Sequence, residues 1–227
     1  MNLSKISEKN KSFYQILINN TIKTIINQFY RKPGIFLNEH DFHHYCYHSF
    51  YRQKEFSKLY TTLDGKKTNI LHPEYPTLKR FIRKEPRVDD NGVRARYDMA
   101  ILNPDFVENN EFNKVRCRDI SLFDIPKEYT ANNLIAVLEF KFIIKHSTIF
   151  NHEILYDHLK LKNADEVELK YMLVFTNTID REIDYFKNLR LHKDKEIKKI
   201  YVAVFKKNGE KKRIEKLYPM DWLDEKI

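Results

Sequence analysis

The sequence predicts an α/β domain in which a mixed central sheet is flanked by helices, behind a helical extension at the N-terminus. Three observations predict it. Residues 133–144 are almost continuously apolar over the length of one strand, which suits a central strand covered on both faces. Residues 8–30 repeat apolar side chains at three- and four-residue steps, the period of an amphipathic helix. Beyond residue 145, helix-patterned and strand-patterned segments alternate, the order that builds helices onto a sheet.

The elements follow in order. Phe13, Ile16, Leu17, Ile22, Ile25, Ile26 and Phe29 mark the first helix, and Pro33-Gly34 breaks it. A second helix starts at Asn38, a good N-cap, with Asp41 as the carboxylate of a capping box. Phe42, Cys46, Ser49 and Phe50 form its inner stripe, and it is expected to run to about Leu59. The turn Leu63-Asp64-Gly65-Lys66 ends this part. Asn69 to Tyr75 reads as a short strand that Pro73 confines to an edge or bends. Arg94 to Leu102 is a second strand, stopped by Pro104. Residues 103–131 are polar and read as an insertion or long loop. After the apolar strand come a helix near 149–163, a strand at Tyr171 to Thr176, a helix near 179–190 and a strand at Lys198 to Phe205. Lys206, Lys207, Lys211, Lys212 and Arg213 then form a basic hairpin or tail.

Composition removes several function classes. Of 227 residues, 42% are hydrophobic and 32% charged, a globular balance. The longest apolar run is too short to span a bilayer, and the first residues lack the apolar core of a secretory signal, so a cytoplasmic location is expected. Two cysteines, Cys46 and Cys117, build no disulfide framework. Four scattered glycines form neither a P-loop nor a dinucleotide-binding turn. The net charge of +9 favours polyanionic partners, because neutralised phosphates release condensed counterions.

Chemistry enters where charge interrupts apolar strands. In Leu138-Glu139-Phe140-Lys141-Phe142, Glu139 and Lys141 lie two apart and share one strand face. Buried charges cost several kcal/mol each, in order of magnitude, unless paired or bound to metal. Asp98 stands near the start of a second apolar strand. Two adjacent strands carrying these acids at one end would make a hard-oxygen site of the kind Mg²⁺ takes. His40, His44 and His48 recur every four residues, but they read as a solvated or DNA-facing stripe rather than a zinc clamp.

Strand-borne Asp98, then strand-borne Glu139-x-Lys141, after a helix carrying Glu39, resembles the PD-(D/E)XK nuclease superfamily of restriction enzymes, junction resolvases and repair nucleases. The core order of that superfamily is helix, three-stranded meander, helix, strand, and residues 38–176 follow it. Tyr97 stands where the motif has proline, and the interval from Asp98 to Glu139 is long. The resemblance implies a restriction-endonuclease-like domain over 36–227, with 1–35 packed on it as an extension. It implies Asp98, Glu139 and the Phe140 carbonyl as ligands of Mg²⁺ or Mn²⁺, and Lys141 as the catalytic lysine. Either Glu39 or Glu74 would be the additional acidic ligand. Arg80, Arg83, Lys84, Arg87, Arg94 and Arg96 lead into the Asp98 strand and are expected to track a nucleic-acid backbone, with Lys160 as a further phosphate contact. Asp157 is expected on the helix surface or behind the site. The implied activity is phosphodiester hydrolysis, on DNA or else RNA, in restriction, defence or repair, and cutting both strands would call for a homodimer. The competing expectation is a nuclease-like module that binds nucleic acid or a protein without cutting.

Overall fold

A computed structural model describes residues 8–116, 133–143, 148–177, 194–207 and 209–218. The first helix, α1, spans Glu8–Arg31 and buries Tyr14, Ile18, Ile22, Ile25, Ile26 and Phe29. Its stripe is rotated slightly from the expected one, for Phe13 stays exposed while Tyr14 and Ile18 turn inward. Helix α2 spans Glu39–Tyr51, where the Asp41 N–H donates to Asn38 Oδ1 at 2.9 Å. The Asp41 carboxylate accepts from the Leu37 N–H, one residue before the cap. The helix stops eight residues short of the expected end, and a separate short turn, α3 (Lys54–Ser57), follows.

Strands β1 (Tyr60–Thr61) and β2 (Lys67–Thr68) form a small separate hairpin around the Gly65 turn. The large sheet begins with β3 (Leu71–Ile82), which runs seven residues beyond the expected end at Tyr75. Pro73 and Pro76 fit there because β4 (Arg87–Val88) pairs only with Phe81 and Ile82, which leaves most of the outer edge of β3 without a neighbour among the described residues. Strand β5 (Val93–Leu102) returns beside β3. The expected insertion opens with two short helices, α4 (Pro104–Glu108) and α5 (Phe112–Arg116). Strand β6 (Leu134–Ile143) is central, followed by α6 (Thr148–Lys162), β7 (Leu169–Thr176), β8 (Ile197–Lys207) and β9 (Glu210–Tyr218). The expected helix near 179–190 lies outside the described residues.

The seven strands order as β4-β3-β5-β6-β7-β8-β9. Pairs β6–β7 and β7–β8 are parallel and the others antiparallel, so the sheet is mixed. A parallel pair needs a crossover, and α6 supplies the one between β6 and β7. On one face, α1 and α2 cover the sheet through a phenylalanine cluster: the Phe42 ring lies 4.7 Å from that of Phe175, and the Phe29 ring 5.1 Å from it. Each such side chain, fully buried, contributes roughly 1.5–3 kcal/mol. On the other face lies α6, whose inward positions include Ile154 and Leu161 but also Asp157 and Lys160. That mixture of apolar and charged side chains under one helix is the clue to the site. Among the described residues, no helix is long and apolar enough to cross a membrane.

Candidate active site

Strands β5 and β6 pair only as far as Met99 opposite Leu138. One step further, where Asp98 and Glu139 would face each other, they part. The Phe140 N–H, which a continuing ladder would have bonded, donates instead to Asp98 Oδ2 at 2.7 Å. The Phe140 carbonyl accepts from His43 Nε2 at 3.0 Å, and since a carbonyl can only accept, that nitrogen carries the proton. The fork thus exposes both backbone groups of one residue to side chains, and it opens a gap that helices from both faces can reach.

Into the gap come Glu39 and His43 from α2, and Asp157 and Lys160 from α6. The Lys141 ammonium donates to Glu39 Oε1 at 2.8 Å and stands 3.1 Å from Asp157 Oδ2. Lys160 Nζ lies 2.8 Å from both Glu139 Oε1 and Asp157 Oδ1, and donates to the Arg96 carbonyl at 2.9 Å. His43 Nε2 is 3.5 Å from Glu39 Oε1 and 3.7 Å from Asp98 Oδ2. Four carboxylates and three basic groups therefore share one connected cluster.

Burial sets their protonation. Glu139 is 0% exposed; burial pushes its carboxyl up, the nearby Asp98 and Asp157 charges push the same way, and Lys160 opposes them. Neither Glu139 oxygen has an aligned hydrogen-bond donor among the described residues, so Lys160 acts on it as a neighbouring charge. Lys141 and Lys160 are both held above the ordinary lysine range. Burial opposes this, but Asp157 and Glu39 outweigh it for Lys141, as Glu139 and Asp157 do for Lys160. Glu39 loses some ionisation to burial, yet the His43 hydrogen bond and the Lys141 charge hold it down at about 2. His43 is raised, with burial opposed by the Glu39 hydrogen bond and the Asp98 charge.

The fork is the floor of a cleft of about 340 Å³ between β5 and α6. Asp98 and Lys141 reach it with side chains 14% and 13% exposed, while Glu139 stays behind them. Arg83, Arg94 and Arg96 line its walls, whereas Arg80, Lys84 and Arg87 do not. Arg80 and Arg87 turn instead to their own hairpin, onto the Asp90 carbonyl and the Asp89 carboxylate. Glu74 sits on the cleft rim, its side chain 58% exposed and 4.0 Å from Arg96, with a backbone φ of 53°. Such left-handed backbone costs a non-glycine residue about 1–2 kcal/mol, and here it turns the side chain of a strand residue out to the rim.

Asp98, Glu139, Phe140, Lys141 and Glu39 thus come together as expected from the sequence. Lys160, expected as a phosphate contact, lines the cleft but is 4% exposed and sits beside Glu139 as its buried counter-ion, and of the two positions expected for Asp157 the structure shows the one under the helix rather than on its surface. His40, His44 and His48 are exposed. His43 was missed as a site residue. Its signal was its place one helical turn after Glu39 on the face that carries Phe42 and Cys46.

Among the described residues, no group of three or more His, Cys, Asp or Glu side chains is set to hold a metal ion. Comparison with protein-family models, with curated proteins and with solved structures finds no match to this chain.

Proposed function

We propose that this chain is a metal-dependent nuclease of the PD-(D/E)XK type that hydrolyses phosphodiester bonds, in DNA or else RNA, on a restriction-endonuclease-like core. One observation carries the reading: Asp98, Glu139 and Lys141 meet at a strand fork on the floor of a cleft walled by Arg83, Arg94 and Arg96. Asp98, Glu139 and the Phe140 carbonyl are the donors that would hold Mg²⁺ or Mn²⁺. The set is hard oxygen throughout, and the unaligned, fully buried oxygens of Glu139 are the observation that fits a cation there. When bound, such an ion supplies Lewis-acid polarisation of a phosphate and a more acidic attacking water.

The rest is done by the chain. Lys141 stays protonated between Asp157 and Glu39, so it takes no proton from water; its ammonium holds an anionic phosphate oxygen or a water lone pair in place. Glu39, anionic and bonded to that amine, positions Lys141, and Glu74 is the acid left on the rim to reach toward substrate. Arg83, Arg94 and Arg96 hold the backbone without reading sequence.

The test incubates plasmid, linear and branched DNA, and RNA, with the protein and Mg²⁺ or Mn²⁺. EDTA and Lys141→Ala serve as controls. Cleavage should vanish in both, and cutting by Lys141→Ala at the wild-type rate would overturn the assignment. A second reading, a module that binds nucleic acid without cutting, is favoured by the way His43 and Lys160 stand among the acids in the place of a cation. Binding under every condition with no cleavage supports it.

A further inference from the structure

The β3–β4 hairpin contributes Arg83 to the cleft wall and is pinned to the first turns of α6. His152 Nε2 donates to the Lys84 carbonyl at 3.0 Å, Arg83 Nη2 lies 3.9 Å from Glu153 Oε1, and the Phe81 ring meets Tyr156 edge-on at 5.9 Å. Arg83, His152, Glu153 and Tyr156 all line the cleft, so this latch forms its wall at the hairpin end. The cleft volume of about 340 Å³ is at the small end of ligand pockets, which run roughly 300–1,000 Å³. A space of that volume accommodates a group of small-ligand size, such as one nucleotide, rather than a whole duplex.

The walls have a second character besides charge. Tyr156, half-buried, lines the α6 side, with the Lys160 ammonium 5.6 Å from its ring centre. Val93, 64% exposed, lines the β5 side. An aromatic ring and an apolar side chain on the walls of a cleft that also carries three guanidiniums form the combination that binds single strands: cations follow the backbone while an aromatic stacks on a base. Inside a duplex every base face is already stacked on its neighbours and is closed to such a ring.

We infer that the cleft selects single-stranded nucleic acid, admitting an unpaired nucleotide or strand end, with Tyr156 as the base-stacking platform and the His152–Lys84 latch as the barrier to duplex. The inference rests on the nuclease reading for its reaction and on the cleft alone for its binding, so the two fail separately.

Binding is measured in EDTA by fluorescence anisotropy, with labelled single-stranded oligonucleotides and blunt duplexes of the same sequence. A fluorescent base analogue near the strand end reports stacking through quenching. Single strands bind at least tenfold more tightly than duplex and are quenched. Tyr156→Leu, which keeps an apolar side chain under Phe81, loses the quenching and roughly tenfold in affinity, the weight of one base stack. Tyr156→Phe keeps both. His152→Ala narrows the gap between single strand and duplex by strengthening duplex binding. Equal binding of the two forms, or Tyr156→Leu that quenches and binds like wild type, overturns the inference. Cutting of blunt duplex as fast as single strand overturns it too and leaves the nuclease reading standing. Selective, Tyr156-dependent binding with no cleavage in Mg²⁺ or Mn²⁺ supports the inference and refutes the nuclease reading.

Discussion

Replacing Lys160 by methionine tests whether its amine is a counter-ion inside the protein or a hand held out to phosphate. Glu139 is fully buried, and the Lys160 side chain beside it is 5% exposed, so solvent screens neither charge. Removing one partner of such a pair typically costs about 3–5 kcal/mol, because the other charge is left buried without compensation. A surface pair would cost about 1 kcal/mol or less. For a chain of this size, the buried case corresponds to a fall in Tm of roughly 6–20 °C. The loss should depend on pH with a definite sign. Burial already raises the Glu139 carboxyl, and without Lys160 it rises further. A folded-state acid raised above its unfolded value loses stability as pH increases between the two. Lys160→Met should therefore differ most from wild type at pH 8 and least as pH falls toward the ordinary carboxylate range. Adding Glu139→Gln removes the orphaned charge and should restore much of the stability, giving a positive coupling in a double-mutant cycle. Urea denaturation at pH 8 and pH 5 measures all of this. Lys160→Met within about 1 kcal/mol of wild type, or a double variant no more stable than the single one, would refute the buried-counter-ion argument.

Two further predictions concern the frame around the site. A Cβ on Gly92 would lie 2.5 Å from the Phe81 oxygen and 2.9 Å from that of Asp89, both backbone atoms with no side-chain freedom to yield. Gly92→Ala should thus open the turn into β5 at a cost of roughly 1–3 kcal/mol in urea denaturation, and a change indistinguishable from zero would show that the turn gives way freely. His158, under α6, is held down at about 4 by burial and by the Lys199 charge, against the Asp194 carboxylate. Its contribution is complete above pH 6.5 and is lost as pH falls to about 4, roughly 3 kcal/mol across that window. His158→Gln should flatten this part of the stability–pH profile, and an unchanged slope between pH 6.5 and 4 would count against the burial argument.

What could be seen in the sequence was whatever a strand or helix period encodes locally. The β6 segment announced itself because its apolar run had only two charged interruptions, and alternation put Glu139 and Lys141 on one face. Asp98 followed from the same logic on β5. The Asn38 cap was legible because capping is chemistry between neighbours. The fork was not legible, since where two strands separate depends on the residues of both and on the helices that fill the gap. Lys160 shows the limit most clearly. A lysine on a helix is ordinarily solvated, and only the approach of α6 to Glu139 makes its burial favourable. The missing apolar seam in α6 carried that information, for Asp157 and Lys160 occupy positions beside Ile154 and Leu161 where leucines would otherwise stand. Similarly, the full length of β3 was not legible, because Pro73 suggests an edge or a bend, and the lack of a full-length outer neighbour among the described residues is a property of the sheet.

The arrangement also explains why so much charge can be buried at one place. Four acids without cations would not remain ionised together, and three cations alone would repel one another. Interleaved, each group offsets the burial cost of the next: Lys141 between Glu39 and Asp157, Lys160 between Asp157 and Glu139, His43 between Glu39 and Asp98. Asp98, Lys141, Asp157 and Lys160 of this cluster line the cleft, and under the proposed function Asp98 would draw a cation and Lys141 would meet a phosphate. Glu139 is fully buried, and under the proposed function it would act on a substrate only through what binds between them. The strand fork is what makes this arrangement workable, because it lets two helices from opposite faces supply the balancing charges.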